Sequence, residues 1–556
     1  MLTNAFGLAQ GLVPLAARAL PAALQACNTQ WVRWHGNHGH GHHHTKEFKE
    51  ALEEAPEKFK GEARKRLRDF AKLPWEVSMT PEEAAKVMGS FLGLPNLEPN
   101  TVLALDVDQV HAILDATTNK GDKTLEKALF SYADGITTKF FGEEVYYRGI
   151  VEYSNVCQND CGYCGIRKHM HDVKRYTMPV SEVVEVAKWA FENKLGNLML
   201  QAGELRTEAR NKYIEEMVRA VREATVRMHM EQKGMDASGP LPAKDQELGL
   251  CVSLSAGELP RETYQRWFDA GARRYLLRIE SSNPELYAAL HPSDMSWQHR
   301  VDCLRALREV GYMIGTGIMV GLPGQTLRDL AGDILFFREI GANMIGMGPY
   351  ITEAGTPVAD MWERLYGKED KKEHMKRMFD LTTRMNSLAR ITLGNANISA
   401  TTALQAIDPM GREIALRRGS NVLMPILTPT KYREHYQLYE GKPCITDTAD
   451  ECRKCLNARI TMIGKKVKDS VWGDPPNFRN PAVGVTVPHS TTTSAIPSAT
   501  RNYSSWALPA ARHYATAAAP SPSPRAAKPL AAGPAKGSDV PRTNIGVFGC
   551  MNAGKR

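Results

Sequence analysis

The sequence predicts an α/β fold, a (β/α)8 TIM-like barrel with disordered N- and C-terminal extensions. Two observations carry this. Between residues 144 and about 430, short apolar runs alternate with amphipathic helical stretches at the spacing of eight βα units. A loop with three cysteines follows the first strand candidate, at the strand end where such barrels keep their working residues.

Taken in order, residues 1–46 hold Arg18, Arg33 and Lys46 but no acid, and are Ala- and Leu-rich at the start. That pattern suits an organelle-targeting peptide, with a plain extension as the alternative. The Gly-His tract through His35, His38, His40, His42, His43 and His44 reads as a linker, although such tracts also bind divalent metals weakly. Residues 47–143 read as a helical segment packing on the barrel. Thr80-Pro-Glu-Glu opens one of its helices with an N-cap, a proline in the first turn and two acids against the dipole.

The barrel is expected over 144–465. Its strand candidates are Val145–Tyr153, Asn197–Leu200, Leu248–Leu254, Tyr275–Ile279, Met313–Val320, Met344–Met347, Ala396–Ile398 and Asn421–Met424. Helical stretches between them include Ser181–Asn193, Glu208–Thr225, Trp297–Val310 and Leu327–Ile340. Residues 475–541, rich in Pro, Ala, Ser and Thr, read as a disordered linker. In 542–556 a strand-like run leads into Gly549-Cys-Met-Asn-Ala-Gly554-Lys555, a P-loop pattern with Arg556 where Ser or Thr is expected. The expectation is the truncated start of a GTPase domain.

The formal charge of +8 does not imply a nucleic-acid partner: 1–46 carries +3 and 490–556 carries +7, which leaves about −2 for the long middle. No run of 18 apolar residues suggests a membrane span. Six of the ten cysteines fall in two triplets, which points to metal in a reducing compartment rather than a disulfide scaffold.

The first triplet, Cys157-x3-Cys161-x2-Cys164, offers three thiolates on one short loop. Three ligands do not close a tetrahedral zinc site. They suit a 4Fe-4S cluster whose fourth iron stays open to a chelating ligand such as S-adenosylmethionine (SAM). A zinc knuckle, or a disulfide pair with a spare thiol, is the alternative. Gly203 and Glu204 end the second strand, where a ligand backbone can approach and an ammonium can be accepted. Arg278 and Glu280 stand two apart on the fourth strand, so both should face the interior, as a carboxylate and ribose grip or as a structural ion pair. Gly321-Leu-Pro-Gly324 ends the fifth strand as a tight turn. The second triplet, Cys444, Cys452 and Cys455, follows the barrel in what reads as an unburied tail, as an auxiliary metal site or as idle thiols.

These motifs resemble radical SAM enzymes of the biotin-synthase-like group, and more closely the FeFe-hydrogenase maturase family HydE. The resemblance covers about residues 60–465. It rests on Cys157–Gly165, Leu200–Glu204, Leu277–Glu280, Arg300, Gly317–Gln325, Gly346–Tyr350, Asn397–Leu404, Asp408–Glu413 and Gly419–Pro425. It implies a radical SAM barrel in which Cys157, Cys161 and Cys164 ligate the 4Fe-4S cluster. Gly203, Glu204, Ser253, Arg278, Glu280 and Arg300 would hold SAM. Thr401, Thr402, Met424 and Tyr436 would line the inner cavity that takes the second substrate, an iron–cysteine–CO–cyanide complex bound for the diiron subcluster. Some members carry a second Fe-S cluster where Cys444, Cys452 and Cys455 fall.

The resemblance also implies partners: a HydF-like GTPase scaffold, on the same chain if the P-loop opens it as in green-algal fusions, a HydG-like maturase, and an electron donor such as ferredoxin. The targeting segment then reads as chloroplastic. Methylornithine synthase, biotin synthase and a non-catalytic Fe-S scaffold are the rival readings. Biotin synthase usually carries Tyr-Asn-His-Asn-Leu-Asp on the fourth strand, where this chain has Leu277-Arg-Ile-Glu-Ser-Ser.

Overall fold

The computed structural model describes residues 79–242 and 247–479. The targeting stretch, the His tract, the run after 479 and the P-loop pattern lie outside the described residues. Thr80 caps the first described helix, Pro81–Leu92, as its sequence predicts. Its hydroxyl accepts from Glu83 N at 3.2 Å, and the Glu83 carboxylate accepts from Thr80 N at 2.9 Å. Helices Val107–Thr118 and Lys123–Phe141 follow. The second is tied to helix Lys371–Leu393 by a partly buried Arg384–Glu126 hydrogen bond of 2.9 Å.

Ten strands follow: β1 Glu144–Tyr147, β2 Gly149–Ser154, β3 Asn197–Ala202, β4 Cys251–Ser255, β5 Ala272–Leu276, β6 Met313–Val320, β7 Met344–Pro349, β8 Asn397–Ala400, β9 Val422–Leu423 and β10 Lys466–Val467. Every pairing is parallel, in the order β10-β1-β9-β8-β7-β6-β5-β4-β3-β2. Because β1 and β2 are one strand broken at Arg148, this ladder is a ring. Arg148 N donates to Leu423 O and Ile150 N to Pro425 O, both at 2.9 Å, and Leu427 N donates to Ile150 O at 2.8 Å. Eight strand positions therefore close a barrel, and β10 adds a short ninth beside Glu144.

Alternation sorts the side chains. Leu198 and Leu200 pack in the main hydrophobic core, whereas Met199 and Gln201 line an interior cavity. Most predicted elements appear near their expected places, with two physical exceptions. Helix Glu208–Gln232 runs past Thr225 because Val226 and Met230 bury themselves against Leu248. Strand β5 starts earlier than Tyr275, since Gly271 (φ 123°) ends helix Arg261–Ala270 and the chain turns directly into the sheet. No described helix is long and apolar enough to cross a membrane.

The barrel extends beyond 465, and the segment expected to be linker from 475 starts too early. β10 pairs with β1, and residues 470–474 run beneath the N-terminal strand ends before helix Pro476–Arg479. Asn197 Nδ2 donates to Trp472 O at 3.3 Å, Asn397 Nδ2 to Gly473 O at 2.9 Å, and Trp472 Nε1 to Gly249 O at 3.0 Å. Arg274 Nη2 donates to Trp472 O and to the Asp474 carboxylate. The low complexity of the following run hid this anchor, whose signal is the Trp472-Gly-Asp474 cluster.

Arg274 is fully buried and Asp474 nearly so. We expect Asp474→Ala to lower unfolding free energy by about 3 kcal/mol, since it strands a buried cation. Urea titration checks this, and adding Arg274→Met should recover much of the loss.

Candidate active site

The cluster loop is held by its own backbone carbonyls. Arg175 sits inside it, donating from Nη1 to Asn155 O (2.8 Å) and Ile166 O (2.7 Å) and from Nη2 to Arg167 O (2.6 Å) and Met170 O (3.1 Å). A planar guanidinium can satisfy several carbonyls that a loop would otherwise leave unpaired. Asn155 closes the base, donating to Lys174 O and accepting from Tyr176 N at 2.7 Å. Asp160 takes Arg167 and His169 at 2.6 Å each. Gly162 N donates to Leu290 O at 2.7 Å and Val358 N to Gly162 O at 2.9 Å, which docks the loop on helices Pro284–Leu290 and Pro357–Tyr366.

Cys157, Cys161 and Cys164 line one cavity of about 430 Å³. Burial pushes the Cys164 thiol up to about 12, with Cys157 nearby adding to the rise. Burial also lifts Cys157, and lifts Cys161 further with help from Cys164. Among the described residues no three His, Cys, Asp or Glu side chains gather around one metal ion. A cubane cluster takes each thiolate on a separate iron, and all three thiols open onto this one cavity, as such a cluster requires. Gly203 leaves the needed room: a Cβ there would lie 2.7 Å from both Cys157 Cβ and Val156 O.

Beside this wall lie the groups expected to hold SAM. Glu204 accepts from Glu258 N at 2.9 Å and meets Arg206 Nη2 at 2.5 Å. Gly257 (φ 90°) is required there, because a Cβ would come within 2.1 Å of the Glu204 carboxylate. Arg300 donates to Glu258 through Nε and to Arg278 O through Nη1 at 2.5 Å. Glu258 and Arg206, absent from the sequence-based set, organise this corner.

Three expectations change. Arg278 and Glu280 do line the cavity, but past the end of β5 rather than on it, and Glu280 adopts φ 62°. They pair with each other at 2.8 and 2.9 Å, and Arg278 also donates to Gly346 O and Ile318 O, so the ion pair is part of the wall. Ser253 is not on the cavity wall. It is fully buried one step deeper, and Ser255, two along on the same face of β4, reaches the cavity.

The third change concerns the second triplet, which is not in an unburied tail. Cys444 and Cys452 line the same cavity, and Cys452 is in the main core. Arg433 Nη1 holds Cys444 O at 2.8 Å, while Tyr147 Oη bonds Asn457 on the same helix as Cys452, Ala449–Met462. A hydrogen bond from Cys452 holds the Cys444 thiol low, and burial raises Cys455.

Thr401, Thr402, Met424 and Tyr436 line the same cavity. Thr401 Oγ1 donates to Met347 O at 2.9 Å, and Gln201 Nε2 donates to Tyr436 Oη at 3.2 Å. Sequence reasoning did not assign Arg148, Glu152, Gln201, Arg412 or Lys442 to the site, and all five line the cavity. Lys442 Nζ pairs with Glu152 Oε1 at 2.5 Å. Arg148 keeps Nε and Nη2 without a hydrogen-bond partner, as does Arg412 its Nε. Burial and Arg274 bring Arg148 down to about 9. The available signal was Arg148 and Glu152 at alternating positions of an otherwise apolar strand.

Residues 151–337 match the family model of the Radical SAM superfamily. The [FeFe] hydrogenase maturase subunit HydE of Thermotoga maritima is 40% identical over 354 residues, which span 64% of this chain and 90% of that protein. The 3-methylornithine synthase of Methanosarcina barkeri is 24% identical over 343 residues, 61% of this chain and 84% of its own length. Among solved structures, a methylornithine synthase aligns with TM-score 0.53 at 19% identity, covering 70% of this chain and 98% of its own. The maturase HydG from Carboxydothermus hydrogenoformans gives 0.52 at 16% identity, covering 77% and 86%. These two share the fold. The thiol loop, the carboxylate–arginine corner beside it and the extent of the match to the Thermotoga protein agree, and the chain belongs to the HydE family of radical SAM hydrogenase maturases.

Proposed function

We propose that this radical SAM enzyme acts on an iron–cysteine–CO–cyanide precursor during assembly of the diiron cofactor of FeFe-hydrogenase. The observation that carries the reading is one cavity joining the cluster thiols, the Glu204–Arg300 corner, and a floor with unpartnered arginine N–H groups. Cys157, Cys161 and Cys164 would hold the 4Fe-4S cluster. Gly203, Glu204, Arg278, Glu280 and Arg300 would hold SAM, with Ser255 in place of Ser253. Bound there, the cluster would supply one-electron reduction of the SAM sulfonium, the chemistry that yields an adenosyl radical and methionine.

The protein's own groups then select what lies deeper. Buried N–H groups of Arg148 and Arg412 favour an anion with good acceptors, which cyanide and carboxylate are. The Met424 thioether is a soft neighbour for a metal complex. Lys442 is neutralised by Glu152 and adds polarity without net charge.

A second Fe-S cluster on Cys444, Cys452 and Cys455 belongs to the same reading, supported by the mutual contact of the first two and by Arg412 and Arg459 nearby. The P-loop pattern supports a HydF-like GTPase as partner, and a HydG-like maturase would supply the iron-bearing substrate. A ferredoxin-type donor would supply electrons. The acid-free, Ala-rich stretch within 1–46 supports a chloroplast address.

Cys157→Ala, Cys161→Ala or Cys164→Ala should each abolish 5′-deoxyadenosine formation while leaving the far-ultraviolet circular dichroism unchanged, because the loop lies outside the barrel core. Iron content and nucleoside yield after anaerobic reconstitution check it. A variant with normal yield, or wild-type protein that loads iron but forms no nucleoside, as a scaffold would, defeats the reading.

Arg148→Met should keep SAM cleavage but lower turnover of the second substrate by roughly tenfold or more, the worth of a charged hydrogen bond. Comparing nucleoside yield with product yield separates the two effects. Replacing Cys444, Cys452 and Cys455 together by Ser should remove about half of the bound iron, one cluster of two, and leave 5′-deoxyadenosine formation in place.

A further inference from the structure

We propose that His291 is a positioning residue for the cluster loop, whose Nε2 accepts the Tyr163 hydroxyl and fixes that ring beside Cys161 and Cys164. The proposal rests on the SAM-site reading above. Tyr163 is the aromatic residue just before the third cysteine and lines the cavity. Its hydroxyl lies 3.1 Å from His291 Nε2. His291 Nδ1 lies 2.8 Å from Tyr287 O. A carbonyl oxygen only accepts, so Nδ1 carries the proton and Nε2 has a free lone pair. The phenol must therefore donate. Burial and the neighbouring Arg300 hold His291 at about 3, so the ring stays neutral.

The geometry continues on both sides. His291 stacks on Tyr287 with centroids 3.9 Å apart, and meets Tyr163 edge-on at 5.4 Å. Arg300 faces the Tyr287 ring at 5.7 Å and donates to Glu258, whose N–H holds Glu204. One step back, Leu290 O accepts from Gly162 N at 2.7 Å. The residue pair at the end of helix Pro284–Leu290 thus grips the loop twice, once by backbone and once through the Tyr163 ring. Through it the loop is registered to the arginine and carboxylate that face SAM.

The test uses Tyr163→Phe, His291→Phe and His291→Gln in the full chain. Tyr163→Phe removes one oxygen and cannot disturb packing. We expect normal iron content in all three. SAM affinity should fall about fivefold in both Phe variants, the cost of one lost hydrogen bond, and the electron paramagnetic resonance lines of the reduced, SAM-bound protein should change alike. His291→Gln, with an acceptor toward the phenol, should restore most of the affinity. The double Phe variant should be no worse than His291→Phe alone, because that change has already removed the bond that Tyr163→Phe deletes.

Wild-type SAM affinity and spectrum in Tyr163→Phe would overturn the proposal, as would multiplying losses in the double variant. A wild-type protein that loads iron but does not bind SAM would instead overturn the site assignment itself.

Discussion

A carboxylate that is only 1% exposed governs the working end of this barrel. A carboxylate at that depth needs charged and hydrogen-bonding partners to offset its lost hydration. Arg300 and Arg206 supply them, from helix Trp297–Val310 and from the segment after β3, while its own N–H reaches Glu204. Gly257 must take a left-handed turn so that the Glu204 carboxylate fits. Arg300, drawn in by Glu258, then caps Arg278 O beyond β5. Three barrel strands and one helix are tied by charges that have nowhere else to go. In the proposed reading the same charges would grip a zwitterionic ligand beside the cluster loop.

The opposite end follows a different rule. An eight-stranded barrel is barely wide enough to hold a ligand, and its interior is usually filled by side chains. Here Gly346 and Gly348 of β7 line the cavity with no side chain of their own, and a Cβ on Gly346 would lie 3.2 Å from Arg278 Nη1. That space runs down to Arg148 and Asn397, and residues 470–474 cover the strand ends below. The barrel is sealed by backbone contacts to Asn197, Asn397 and Arg274 rather than by a plug of apolar side chains, which leaves its floor polar and cationic.

Much of this was legible in the sequence because the signals were periodic or tightly spaced. Trp297–Val310 and Met313–Val320 stand where their patterns predict, and the thiols, Glu204, Arg278, Glu280 and Arg300 meet in one cavity. What escaped was set by contacts distant in the chain. Glu258 has no motif of its own, since its role exists only once Arg206 and Arg300 converge on it. Ser253 and Ser255 share one face of β4, and only the depth of the cavity decides which reaches it. Trp472 and Asp474 precede a low-complexity run and were hidden by it. Burial of Cys452 goes with helix Ala449–Met462 packing against Tyr147, which bonds Asn457, 310 residues away in sequence.

In the proposed site, three thiolates would leave one iron of a 4Fe-4S cluster open to SAM, in the corner organised by Glu258. The most direct measurement is electron paramagnetic resonance of the reduced, anaerobically reconstituted wild-type protein during titration with SAM. The expected result is a cluster signal that changes shape and saturates at one SAM per chain. A cluster signal that stays unchanged at saturating SAM would contradict it.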